Sequence, residues 1–144
     1  MKGHHIMIRA DFSRQLMIRA GNHQGTLAEL THIISSSGIN LIAICAYAVD
    51  KTVYIMFVTE DNNASKQLLE KHGFHVEEEE VVLLSLENRP GALQRFTDKI
   101  AAAGIDLRLV YGSVDQEANM TRIILISSDN HDMMLVIKTE LERG

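Results

Sequence analysis

Residues 22–41 read NHQGTLAELTHIISSSGINL, and residues 88–107 read NRPGALQRFTDKIAAAGIDL. The two stretches align without a gap at an offset of 66. Asn22 pairs with Asn88, Gly25 with Gly91, Leu27 with Leu93, Thr31 with Thr97, Ile34 with Ile100, Gly38 with Gly104, Ile39 with Ile105 and Leu41 with Leu107. Two glycines and an asparagine-led turn held in one register mark a duplication, and self-similarity at a fixed offset decides the fold before any single element does.

Each copy has the same grammar. A short apolar run, Leu16-Met17-Ile18 or Val81 to Leu86, ends at a turn containing Asn and Gly. A helical period follows, Leu27, Leu30, Ile34 in the first copy and Leu93, Phe96, Ile100 in the second. Pro90 suits a first helical turn, where a missing N–H costs nothing, and Gly38 and Gly104 fit left-handed helix stops. Ile39, Leu41, Ala43, Cys45 and Ile105, Leu107, Leu109 then alternate as strands, and Val53 to Val58 and Ile123 to Ile126 are solid apolar runs. Second helices are expected at about 63–72 and about 131–142. Phe74-His75-Val76 restarts an extended segment through Glu77–Glu80. The order βαββαβ is the split βαβ motif. The expected class is therefore α+β: two ferredoxin-like modules, residues 1–80 and 81–144, each a four-stranded antiparallel sheet with helices on one face.

Two details go further. The second copy runs out directly after its second helix, and residues 4–10 (HHIMIRA) form a spare extended segment ahead of the first. This segment is expected to supply the second module's fourth strand; a local hairpin with 14–20 is the alternative, because Ile6-Met7-Ile8-Arg9-Ala10 echoes Leu16-Met17-Ile18-Arg19-Ala20. The run Val53–Val58 is apolar on both faces of its strand. Helices cover one face, so the other must meet the sister module, a second chain or both.

The segment Leu84-Ser85-Leu86-Glu87-Asn88-Arg89-Pro90-Gly91-Ala92-Leu93, followed by Ala103-Gly104-Ile105-Asp106-Leu107, closely resembles the ACT-domain signature: a strand, a short Asn-x-Pro-Gly-x-Leu turn, a helix, then Gly-Ile-Asn. The first copy, Asn22-His23-Gln24-Gly25-Thr26-Leu27, lacks the proline but keeps Gly38-Ile39-Asn40. The resemblance runs from about residue 14 to 144, and the layout looks like the small tandem ACT proteins that carry no catalytic domain. It implies a regulatory protein that senses an amino acid at module interfaces, forms a homodimer and modulates a metabolic enzyme or other partner. It places ligand contacts at Asn22, His23, Gln24, Gly25, Thr26, Leu27 and Asn40, and at Asn88, Arg89, Gly91, Ala92, Leu93 and Asp106. Asp106 stands where the family's second asparagine belongs, which makes the two sites unequal.

The chemistry suits that role. An amino acid needs donors for its carboxylate and acceptors for its ammonium. A helix N-terminus supplies N–H groups, glycine lets a ligand approach the backbone, and an asparagine amide both donates and accepts. An ionised Asp106 only accepts. The competing reading is an interaction module whose duplication serves dimer formation, its ligand sites lapsed.

Other classes find little support. The chain has 144 residues with 46% apolar and 23% charged residues, and its formal net charge of −5 argues against nucleic acid. The lone Cys45 fits a reducing compartment. The N-terminal apolar stretch is too short for a signal peptide or membrane span, so a cytoplasmic protein without membrane partners is expected. Seven histidines without a His-x-x-x-His spacing give no metal motif, and adjacent His4 and His5 on the expected extended segment would point to opposite faces. No nucleophile turn or phosphate loop is present, so neither an enzyme nor a cofactor is expected.

Overall fold

The computed structural model describes residues 8–21 and 25–144. Its elements in chain order are β1 (Arg9–Gly21), α1 (Thr26–Ser36), β2 (Leu41–Val49), β3 (Thr52–Thr59), α2 (Asn62–Lys71), β4 (Val76–Glu87), α3 (Gln94–Ala102), β5 (Leu107–Asp115), β6 (Met120–Ser127) and α4 (Asn130–Glu142). The chain divides into two compact units. Arg14–Glu80 forms one, here the first module; the chain up to Ser13 joins Val81–Gly144 in the other, the second module.

Both long strands thus contribute to two units. In the first module the hydrogen-bonded order is β2-β3-β1-β4, and in the second β1-β4-β6-β5. Of the spare segment expected at 4–10, residues 4–7 lie outside the described residues. Arg9 and Ala10 open β1 and continue unbroken through 14–20, so no hairpin joins these two stretches among the described residues. Ala10 is buried with Val82, Leu84 and Phe96, Ile8 packs against the same cluster, and Lys138 Nζ donates to the Ala10 carbonyl at 2.9 Å.

Side-chain alternation builds each core. In the first module Leu16 and Ile18 of β1 stand opposite Phe57 and Ile55 of β3 and bury with Leu30 and Ile34 of α1 and Leu69 of α2. In the second, Val82, Leu84 and Leu86 of β4 and Ile123 and Leu125 of β6 bury with Phe96, Ile100, Met133 and Ile137 of α3 and α4. On the opposite face of β3, Met56 and Val58 are each only 3% exposed within the single chain, and Tyr54 is half-buried.

A capping network occurs twice. Thr59 donates to Asn62 Oδ1 from its N–H (2.9 Å) and its hydroxyl (3.0 Å), Asp61 N–H donates to Thr59 Oγ1 (3.2 Å), and Asp61 Oδ1 accepts from Ala64 N–H (3.0 Å). Ser127 donates to Asn130 Oδ1 in the same two ways (2.9 and 3.2 Å), Asp129 N–H donates to Ser127 Oγ (3.1 Å), and Asp129 Oδ1 accepts from Asp132 N–H (3.0 Å). These residues repeat at an offset of 68, because the hairpin tip between β5 and β6 (Gln116–Asn119) is two residues longer than Asp50-Lys51 between β2 and β3. Pro90 is not in the first turn of a helix: α3 starts at Gln94, and Gly91, with φ at 82°, breaks the helical conformation between them.

Beside β1, Glu78 bonds to Arg14 Nε at 2.8 Å and lies 3.7 Å from Lys66 Nζ. The hydrogen bond from Arg14 pulls its carboxyl below the ordinary 4.5, against the opposing effect of partial desolvation, with Lys66 assisting.

Two outcomes follow. Removing a helix cap, by Asp61→Ala or Asp129→Ala, should cost about 1 kcal/mol in urea unfolding. Because the folded pKa of Glu78 lies below the unfolded one, its stabilisation is complete above about pH 4.5 and lost as pH falls through the folded value. Glu78→Gln should therefore cost about 0.5 kcal/mol at pH 7 and give a flatter stability curve below pH 4.5; an unchanged acid limb would show that Arg14 does not hold the carboxylate.

Candidate functional site

The turn before α1 is set by one backbone angle. Gly25 caps the helix with φ at 88°, a left-handed conformation that costs other residues roughly 1–2 kcal/mol. Its carbonyl accepts from Glu29 N–H at 2.8 Å. Thr26 is buried with its hydroxyl 3.5 Å from the Gly21 carbonyl, whereas Leu27 is exposed. Asn22, His23 and Gln24 lie outside the described residues. In the second module Gly91 repeats the conformation at 82°. A Cβ at either glycine would meet nothing within 4 Å, unlike Gly112 of β5, where it would come within 2.7 Å of the Arg122 carbonyl oxygen. The turn glycines therefore serve the backbone and leave open space beside it.

The second turn is occupied with its own structure. Asn88 N–H donates to the Asn119 carbonyl at 3.0 Å, and Asn88 Oδ1 accepts from Thr121 Oγ1 at 3.5 Å. Arg89 Nε donates to Glu87 at 2.8 Å, and the Arg89 carbonyl accepts from the N–H of buried Ala92 at 3.2 Å. The carbonyl of half-buried Leu93 accepts from Phe96 N–H (3.0 Å) and Thr97 N–H (3.1 Å). Beneath the turn, Arg95 lies over the Phe96 ring at 4.8 Å and donates from Nη2 to the Glu140 carbonyl at 3.1 Å. Its Nε is 3.3 Å from Glu140 Oε2 but is misdirected for a hydrogen bond, so this contact is an ion pair only.

Asn40 and Asp106 occupy matching corners. The Asn40 carbonyl accepts from Glu60 N–H at 3.1 Å and its Nδ2 donates to Glu60 Oε1 at 3.4 Å. The Asp106 carbonyl accepts from Ser128 N–H at 2.9 Å and its N–H donates to Ser128 Oγ at 3.3 Å.

Turn and corner do not meet within a module. Gly21, which ends β1, pairs with Thr52, whereas Leu41, which follows Asn40, pairs with Thr59. Seven strand residues separate these ends, roughly 23 Å. In the second module Glu87 pairs with Met120 and Leu107 with Ser127, which again places Asn88 and Asp106 at opposite ends of one strand.

Asn40 instead joins a group that sequence reasoning missed. A groove of about 460 Å³ between α1 and the start of β2 is lined by Ala28, Thr31, His32, Ser35, Ile39 and Asn40, with Ile34 and Leu41. The signal was present: positions 28, 31, 32 and 35 share one helical face, but their mixed polarity did not stand out. Among the described residues no group of three His, Cys, Asp or Glu side chains could hold a metal, and no helix is long and apolar enough to cross a membrane.

The sequence pattern of one family, the ACT domain pair, matches residues 12–142. Among solved structures, protein BT0572 from Bacteroides thetaiotaomicron is similar with a TM-score of 0.84 at 25% identity, over 91% of this chain and 90% of that one. The ligand-free regulatory subunit of aspartate kinase from Thermus thermophilus is similar with a TM-score of 0.65 at 10% identity, over 94% and 97%. The aspartokinase alpha and beta subunits give 0.63 at 13%, over 96% and 99%. No curated protein matches the sequence.

Since open space surrounds Gly25 and Gly91, Gly25→Ala and Gly91→Ala should each lose about 1 kcal/mol through backbone strain alone. Asn, which tolerates the left-handed region, should recover part of that loss; equal losses for Ala and Asn in thermal unfolding would point to a steric cause instead.

Proposed function

This chain belongs to the ACT domain pair family, and on that premise we propose that it is a regulatory protein that binds a small amino acid and modulates a metabolic enzyme or other partner. The groove that brings Asn40 to the foot of α1 carries this reading. Regulatory subunits of aspartate kinase with the same fold support it by analogy. A free Cys45 suits the cytoplasm.

One groove open to water is a weak site. A millimolar ligand already needs about 4 kcal/mol, and a helix dipole adds only about 0.3–1 kcal/mol when exposed. Closure supplies the rest. The turn at Gly25 and the corner at Asn40 lie at opposite ends of the first module, so a ligand touching both takes one of them from a second copy. Strand β2, LIAICAYAV, favours such a copy: it is an edge strand without a charge, with Leu41, Ile44, Tyr47 and Val49 exposed. Uncharged edges are templates for pairing. Two β2 strands paired antiparallel about a two-fold axis set the Asn40 end of one copy beside the Val49 end of the other, the end at which Gly21 also lies.

The competing reading, a pairing module without ligand, draws on the second module, where Arg89 is bonded to Glu87 and Asn88 to Thr121 of β6. A thermal-shift panel of the twenty amino acids separates the two. A ligand at 100 times its Kd should stabilise by about 2.7 kcal/mol. Asn40→Ala should remove that response, and Tyr47→Lys should abolish both the dimer in sedimentation and the response. A flat panel with an intact dimer would leave only the pairing module.

A further inference from the structure

The duplication lets the first module's groove be compared with its own copy. At the offset of 66, Ala28, Thr31, His32, Ser35 and Asn40 correspond to Gln94, Thr97, Asp98, Ala101 and Asp106. The first set contains no carboxylate; the second contains two. Two copies of one fold therefore present different charge along the helix wall to an incoming carboxylate.

Within the first groove the hydrogen-bonding capacity is already divided. Thr31 donates its hydroxyl proton to the Leu27 or Ala28 carbonyl (3.0 and 3.1 Å), and Ser35 donates to the His32 carbonyl at 3.2 Å. Both oxygens can then only accept. Asn40 gives one N–H to Glu60, which leaves its second N–H as a donor and Oδ1 as an acceptor, with the exposed Glu60 carboxylate behind them. The His32 imidazole is exposed and has no side-chain partner among the described residues. An imidazole carries an N–H in either tautomer, and a charge when protonated. It is thus the donor left free on the helix wall, and across Ile39 and Leu41 lies a corner whose charge is the Glu60 carboxylate and whose amide offers Oδ1 as an acceptor.

We infer that the groove of the first module holds one zwitterionic amino acid per chain, with its carboxylate on His32, its ammonium at Asn40 Oδ1 and Glu60, and a small apolar side chain on Ile39 and Leu41, while Asp98 and Asp106 bar the second module from binding it. This rests on the amino-acid-sensing reading above and names the groups that orient the ligand. His32 is a specificity-determining residue that sequence reading passed over in favour of His23.

The test is titration calorimetry on the full chain with each of the twenty amino acids, and with the α-amide of whichever responds. One site per chain is expected. His32→Ala should weaken binding about tenfold, the size of one charge-assisted hydrogen bond. His32→Gln, which keeps an N–H donor, should recover most of it, and His32→Asp, which copies the second module, should abolish it. The α-amide should bind wild type weakly and show no difference between wild type and His32→Ala. Asp98→Ala with Asp106→Asn should leave the affinity of the first site unchanged. Because His32 is exposed, unliganded melting temperatures should not move, which separates binding from folding. Two sites per chain, or a wild-type affinity in His32→Ala, overturns the assignment while leaving amino acid sensing intact. Silence of the wild type toward all twenty overturns both.

Discussion

Ile55 and Phe57 are wholly buried in one cluster with Leu30, Ile34 and Leu69, and full burial of such a side chain stabilises by roughly 1.5–3 kcal/mol. A slip of one residue along β3 would turn that apolar set to the other face, so the pairing of β3 with β1 and β2 is tightly specified. Fixed register fixes the ends. Gly21, the last residue of β1, pairs with Thr52, and Leu41, which follows Asn40, pairs with Thr59. The same logic runs through Ile123 and Leu125 in the second module. The separation of the glycine turn from the Asn40 corner is therefore a by-product of core packing.

Comparison of the two copies shows what has been kept and what has drifted. The paired caps at Asp61-Asn62 and Asp129-Asn130 match bond for bond, although the hairpin tips differ in length and in which residue takes a positive φ: Asp50 in one, Asn119 in the other. The helix stops at Gly38 and Gly104 keep φ at 72° and 75°. What has diverged is the surface along α1 and α3 and the corner residue, where charge changes without disturbing any buried contact. Scaffold chemistry is shared; surface chemistry is individual.

Much of this was legible in the sequence because its signals are local. Paired glycines, a helical period and alternating strands locate the elements of both modules, and the repeated Asn-turn-Gly with Gly-Ile-Asn points to the family. The caps on α2 and α4 escaped notice because a gapless offset of 66 loses register at the longer tip, beyond which the offset is 68. Pro90 misled as a helix start because the left-handed Gly91 delays α3 to Gln94. The site was only half visible. Turn and corner residues carry recognisable motifs, but their placement at opposite ends depends on strand pairing, and the α1 wall depends on a helical face mixing Ala, Thr, His and Ser. No short motif encodes either.

Strands β1 and β4 each begin in one compact unit and finish in the other. A gene fragment ending at Glu80 would encode the first module plus a stub belonging elsewhere, and one starting at Val81 would lack Ile8 and Ala10 from its apolar cluster. Neither half is a transferable cassette. Recombination that trades whole modules between proteins has to carry both crossing strands along.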